Sequence, residues 1–222
     1  MTWIEVMPTL KCNLSCVGCD RGYGKPGPLS IADLDDFSII ESIVKKIERL
    51  DGFVVSGGEP TGYRKIVELL DYCHSLKDAP VDVKTNSFRL LELPLRTVIR
   101  NLWSISMYKE NEKFIRNNAD VFNNLIRSRC VSIVEVGSFE NLESLKNEDT
   151  GFNPMLCFMP TVIGNSEYIY PCCRAFTFEK KTGSRYSVHM DDFSISSLQE
   201  IIESSDMCSL CPRKVGSDRI EK

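Results

Sequence analysis

Between residues 3 and 136 the chain alternates short apolar runs with longer stretches whose apolar residues recur at helical spacing. The runs 3–9 (WIEVMPT), 53–58 (FVVSGG), 81–86 (VDVKTN), 102–108 (LWSISMY) and 131–136 (VSIVEV) are rich in Val, Ile and aromatics. They end at turn residues, so they predict strands. Between them, 30–50 predicts a helix with Phe37, Ile40, Ile43, Val44, Ile47 and Leu50 on one face and Ser30 and Asp33 in a capping-box variant. A second helix is predicted over 63–76, with Ile66, Leu69, Leu70 and Cys73 in one stripe. A third covers 111–128, where Phe114, Phe122, Leu125 and Ile126 oppose a polar side.

Strand–helix alternation of this kind gives an α/β fold with a parallel sheet and helices outside. Five or six units fall short of a closed eight-fold barrel, so the expectation is a partial (β/α)5-6 TIM-like barrel over residues 1–140. Side chains alternate across a strand. Asp82, Lys84 and Asn86 therefore share one face of the third strand, and Ser104, Ser106 and Tyr108 one face of the fourth. With Glu5 in the first strand and Glu135 in the fifth, these residues predict a polar lumen suited to a hydroxylated or charged small molecule. Glu5, Lys84, Tyr108 and Glu135 are accordingly candidates for contact with a substrate.

After residue 137 the alternation stops. A polar loop (137–154), a hairpin-like stretch (156–176) and a short helix (194–204) precede the sequence CSLC at 208–211. Residues 141–222 read as a small subdomain that needs a metal to hold its core. Composition adds one anomaly. The 222 residues are 42% apolar with a net charge of −4, and the N-terminus lacks a signal-peptide pattern. No basic stripe points to nucleic acid, and no apolar window approaches the ~18 residues of a membrane span. A cytoplasmic protein is expected. Yet ten cysteines stand at 12, 16, 19, 73, 130, 157, 172, 173, 208 and 211. In a reducing compartment such density points to metal rather than to disulfides.

Cys12, Cys16 and Cys19 follow the first strand with C-x3-C-x2-C spacing. Common zinc modules use paired, closely spaced ligands in fours. Three thiolates on a cubane iron–sulfur cluster would leave one iron open to a small molecule. This loop, followed by SGGEP at 56–60, resembles the radical S-adenosylmethionine (radical SAM) superfamily. The resemblance implies a [4Fe–4S] cluster held by Cys12, Cys16 and Cys19, with S-adenosylmethionine chelated to the open iron. It implies that Gly57, Gly58, Glu59 and Pro60 meet the methionine amino group. Thr85 or Asn86 in the TNG-like KTNS segment (84–87) and Ser106 in the fourth strand would contact the same cofactor. Gly18 stands where the family usually carries a bulky residue.

The later cysteines resemble the SPASM and twitch extensions of that family. The implied auxiliary [4Fe–4S] cluster would take Cys157, Cys172, Cys208 and Cys211, with Cys173 a neighbour and Arg174 a candidate anchor for an anionic group. Four thiolates also suit a structural zinc. Cys73 and Cys130 read as core. The activity implied is hydrogen abstraction from a small polar substrate by a 5′-deoxyadenosyl radical. An oxidation would use the auxiliary cluster as electron acceptor and a donor such as flavodoxin or ferredoxin. The alternatives are a ribosomal-peptide maturase, a redox-neutral sugar or nucleoside modification, and a non-catalytic iron–sulfur or zinc module.

Overall fold

The computed structural model describes residues 2–16, 19, 31–135 and 158–208. Cys157, Cys211, Gly18, Ser30 and the boundary expected near residue 140 lie outside the described residues. All five expected strands are present, each shorter at its C-terminal end and the second starting one residue earlier: β1 (Trp3–Met7), β2 (Gly52–Val55), β3 (Val81–Thr85), β4 (Leu102–Met107) and β5 (Val131–Glu135). They pair in parallel in the order β5-β4-β3-β2-β1. The sheet continues past β1. Strand β6 (Thr161–Ile163) pairs parallel to β1, and β7 (Tyr168–Tyr170) and β8 (Val188–His189) follow antiparallel. The described C-terminal residues therefore extend the first sheet through main-chain hydrogen bonds to β1.

One face of this sheet is predominantly apolar. Ile4 and Val6, Phe53 and Val55, Val81 and Val83, and Trp103 and Ile105 point into a single core. Helices α1 (Ser38–Lys45), α2 (Ile66–Leu76), α3 (Leu95–Arg100), α4 (Lys109–Asn117) and α5 (Ala119–Arg127) contribute buried residues to that core. Trp103, fully buried, donates its indole N–H to the Val98 carbonyl (2.9 Å), so the largest core side chain carries no unpaired polar atom. A second cluster packs Met7, Ile163 and Tyr170 against helix α6 (Ala175–Thr182) and residues of α7 (Ile195–Ser204).

The helical expectations need two corrections. The 30–50 stretch forms α1 only over Ser38–Lys45. Leu34 is pinned beforehand as an extended segment: its N–H donates to the Pro8 carbonyl (2.8 Å) and its carbonyl accepts from the Tyr63 hydroxyl. Just before the helix, the Asp36 carboxylate accepts from the Ser38 N–H (2.9 Å) and hydroxyl (2.6 Å) at the first helical residue. The 111–128 helix is two helices broken at Asn118, whose side-chain amide donates to the Phe114 carbonyl (2.9 Å) and competes with the helical ladder.

Candidate active site

The cysteine loop leaves β1 at its C-terminal end, and the GGEP loop leaves β2 at the same end. The two are laced together by main-chain bonds: Ser56 N–H to Val6 O (2.9 Å), Gly58 N–H to Thr9 O (2.9 Å) and Glu59 N–H to Lys11 O (2.8 Å). This lacing explains both glycines. A Cβ at Gly57, whose φ is +129°, would lie 2.3 Å from the Thr9 carbonyl oxygen. One at Gly58 would lie 2.1 Å from Lys11 O and 2.5 Å from Leu10 O. The glycines let one motif dock on the other, a role in addition to any approach to a ligand.

Glu59 ties in the third loop. Its carboxyl, 3% exposed, accepts from the Thr61 N–H (3.0 Å) and hydroxyl (2.5 Å), the Thr85 hydroxyl (2.6 Å) and the Asn86 N–H (2.7 Å). Asn86 then reaches back to the cysteine loop, donating to the Asn13 side-chain carbonyl (2.7 Å) and lying 4.0 Å from Cys12 Sγ. The fourth loop joins through Asn111, fully buried in α4. Its amide donates to Asn86 O (2.7 Å) and Ser106 O (2.9 Å) and accepts from Tyr108 N–H (2.6 Å). The loops after β1, β2, β3 and β4 thus form one hydrogen-bonded assembly at the C-terminal edge of the sheet. Asn13 and Asn111 were not singled out from sequence. Neither belongs to a motif, and an asparagine that bridges loops gives no periodic signal.

Glu59→Ala would leave those buried donors without an acceptor. The expected cost is about 3 kcal/mol, read as a fall in the urea unfolding midpoint. Ser87, next in the same loop, holds a left-handed φ of 73°, is fully buried, and its hydroxyl has no partner among the described residues. Ser87→Gly removes both the strain and the orphaned hydroxyl. It is expected to raise stability by about 1–2 kcal/mol, seen as a higher melting temperature.

Cys12, Cys16 and Cys19 are all half-buried. The Cys19 N–H donates to Cys16 O (3.2 Å), and Cys12 Sγ accepts from the Leu14 N–H (3.4 Å). Burial pushes the Cys16 thiol up to about 11, and the Glu110 carboxylate, Cys19 and Cys12 add to it. Burial likewise raises Cys12, opposed by the Leu14 N–H and reinforced by Glu59 and Cys19. The thiols are therefore near enough to one another to couple electrostatically, and a bound metal must displace their protons. Among the described residues no three His, Cys, Asp or Glu side chains converge closely enough for a single metal ion. A cubane places each thiolate on a different iron, so its ligands stand further apart than those of one ion. Three half-buried thiols on one loop supply a donor set that suits such a cluster.

The remaining candidates are scattered. Glu5 is buried on β1, accepting from the Ser56 hydroxyl and, at 3.4 Å, from that of Thr161. Lys84, Ser104 and Ser106 lie on the face opposite the helices. Tyr108 caps α4, half-buried, just past β4. Glu135 is exposed and shares the strand parity of Val131 and Ile133, so it does not join the polar face. The adjacent Cys172 and Cys173, and Cys208 from beyond α7, pack against one cluster with Tyr170, Phe176 and Met207. Arg174 caps α6 beside them. Cys73 and Cys130 are buried in the main core, as expected.

Comparison with known proteins bears on this assembly. Residues 6–104 match the radical SAM superfamily. The radical SAM match runs from β1 into β4 and takes in both motifs and all of the loops between them. Among curated protein sequences none matches the chain. Among solved structures, BtrN in complex with AdoMet and 2-DOIA aligns at a TM-score of 0.63 and 16% identity, over 96% of this chain and 93% of BtrN. BtrN in an open conformation aligns at 0.56 and 16%, over 98% and 89%. SuiB of Streptococcus suis bound to precursor peptide SuiA aligns at 0.45 and 16%, over 64% of this chain and 34% of SuiB. The BtrN likeness extends the shared fold past the radical SAM segment to the C-terminal strands. Among the described residues no helix is long and apolar enough to cross a membrane.

Proposed function

We propose that the protein is a radical SAM enzyme that oxidises a small polyhydroxylated substrate. The observation that carries this reading is the convergence of the cysteine loop and the GGEP loop at one edge of the sheet, with Asn86 beside Cys12. On this reading Cys12, Cys16 and Cys19 hold a [4Fe–4S] cluster within a partial barrel. Gly57, Gly58, Glu59, Pro60, Thr85, Asn86 and Ser106 line the S-adenosylmethionine site. When bound, that pair supplies the electron and the carbon-centred radical for hydrogen abstraction.

The chain's own residues hold the geometry. Glu59 fixes the third loop relative to the second, and Asn111 fixes the fourth relative to the third. A site tied at four loops costs little reorganisation when substrate and cofactor must be held in line. The C-terminal cysteines Cys157, Cys172, Cys208 and Cys211 are assigned to a twitch-type auxiliary [4Fe–4S] cluster. That cluster supplies an acceptor for the electron left on an oxidised carbinol. Support comes from Cys172 and Cys208 sharing one apolar cluster on the strands that hydrogen-bond to β1. A low-potential donor such as flavodoxin or ferredoxin and a cytoplasmic setting complete the proposal.

The test is anaerobic reconstitution followed by reduction in the presence of S-adenosylmethionine. Formation of 5′-deoxyadenosine is expected, and its absence would sink the reading. Oxidation predicts one S-adenosylmethionine consumed per ketone formed, so catalytic use of the cofactor would exclude it.

A further inference from the structure

On the sheet face opposite the helices, β3 and β4 carry a compact polar group. Lys84 and Asp82 form an ion pair, the Lys84 ammonium donates to Ser104 Oγ (3.1 Å), and Ser104 Oγ donates to Asp82 Oδ1 (2.9 Å). The same two strands put Val81, Val83, Trp103 and Ile105, all buried, on their other face. Parallel strands in the middle of a sheet are usually apolar on both faces. An ion pair with its lysine side chain 46% exposed contributes little stability. Folding therefore gives no reason for charge at this place.

We propose that Asp82, Lys84 and Ser104 form the substrate subsite and select a polyol, bare or amino-substituted, over an anionic sugar. This rests on the radical SAM reading above. Position supports it. Lys84 keeps the parity of Asn86, the first residue past the end of β3 and about 7 Å on, and Asn86 touches the cysteine loop. A small ring bound at Lys84 would lie next to the cofactor end without displacing it. Chemistry sets the class. Among the described residues, Lys84 has one ammonium N–H beyond the two used for Asp82 and Ser104, and Asp82 keeps unused lone pairs at a side-chain exposure of 18%. A donor and an acceptor side by side match hydroxyls, each of which both donates and accepts. A phosphate or carboxylate would meet the Asp82 carboxylate.

The test is calorimetric titration of the reconstituted holoprotein, with S-adenosylmethionine present, using myo-inositol, glucosamine, glucose 6-phosphate and gluconate. The first two are expected to bind saturably and the anionic pair about tenfold more weakly or worse. Lys84→Met is expected to weaken the polyols about tenfold. Asp82→Asn keeps hydrogen bonding but removes the charge, so the gap between neutral myo-inositol and the anionic probes should narrow about tenfold, a change a purely structural role would not produce. Tighter anion binding, no saturable polyol, or wild-type behaviour in both variants would overturn the proposal. The same preparation, assayed for 5′-deoxyadenosine without any polyol, separates the two readings. Deoxyadenosine with no polyol selectivity sinks the subsite alone, and selectivity without deoxyadenosine sinks the enzyme class alone.

Discussion

Cys16→Ala is expected to abolish 5′-deoxyadenosine formation, by more than about 100-fold, whereas Cys172→Ala is expected to leave it measurable. The asymmetry follows from placement. Cys16 stands on the loop laced to GGEP, and burial, with Glu110, Cys19 and Cys12 adding smaller contributions, pushes its thiol up to about 11. Removing it leaves two thiols where three are needed, and no described His, Cys, Asp or Glu group nearby forms a substitute site. Cys172 belongs to a different apolar cluster, built on β6, β7 and α6. Its loss should lower the iron content and halt oxidation of substrate while sparing reductive cleavage of S-adenosylmethionine. The measurements are iron and sulfide counts with chromatographic deoxyadenosine in the same samples. Cys73→Ala serves as a control, because that thiol is sealed in the core under α2 and should cost only cavity stability. Equal loss of deoxyadenosine in Cys16 and Cys172 variants would mean that the two cysteine groups do not act separately.

Much of this arrangement was legible in the sequence, and the misses have physical causes. All five strands between residues 3 and 136 were read correctly because each is a short apolar run between turn residues, and burial on the helix face enforces that pattern. The hairpin and the helix before Cys208 were equally plain, the helix starting one residue later than its apolar pattern suggests because Ser194 serves as its cap. Helix length was not legible where side chains make tertiary hydrogen bonds. Asp33 accepts from the Thr9 hydroxyl (2.7 Å) and Lys11 ammonium (2.8 Å), which binds the 31–37 segment to the cysteine loop and keeps it out of the helix. Asn118 breaks a pattern whose apolar spacing alone looks continuous. Helix α3 is short and shows two apolar residues to solvent, Leu95 at 69% and Ile99 at 60%, so it lacks a readable amphipathic stripe. Within the site, the cysteines and GGEP announced themselves by spacing. Asn111 did not, because its function is to satisfy carbonyls on two other loops, and only the folded chain brings those carbonyls together.

Gly58→Ala is the substitution expected to do most damage for the smallest chemical change. The added methyl would sit 2.1 Å from the Lys11 carbonyl oxygen and within 2.5 Å of Leu10 O and the Lys11 carbonyl carbon. All three are backbone atoms, so no side chain can rotate away. The two loops must separate, and the bonds that hold them, Gly58 N–H to Thr9 O and Glu59 N–H to Lys11 O, would go with the contact. Overpacking against rigid backbone together with the loss of buried hydrogen bonds should cost about 3–5 kcal/mol. Gly62→Ala provides the matched comparison. It lies two residues past Pro60, where a Cβ meets nothing within 4 Å, and should change the unfolding midpoint little. Chemical denaturation of both variants gives the stability difference. Iron content after reconstitution then tells whether the cysteine loop keeps its shape alone. If the docking argument holds, Gly58→Ala loses the cluster even though every cysteine is intact. If it retains full iron content at wild-type stability, the glycine's absent side chain matters only to a bound ligand, and the loops are less tightly coupled than their hydrogen bonds imply.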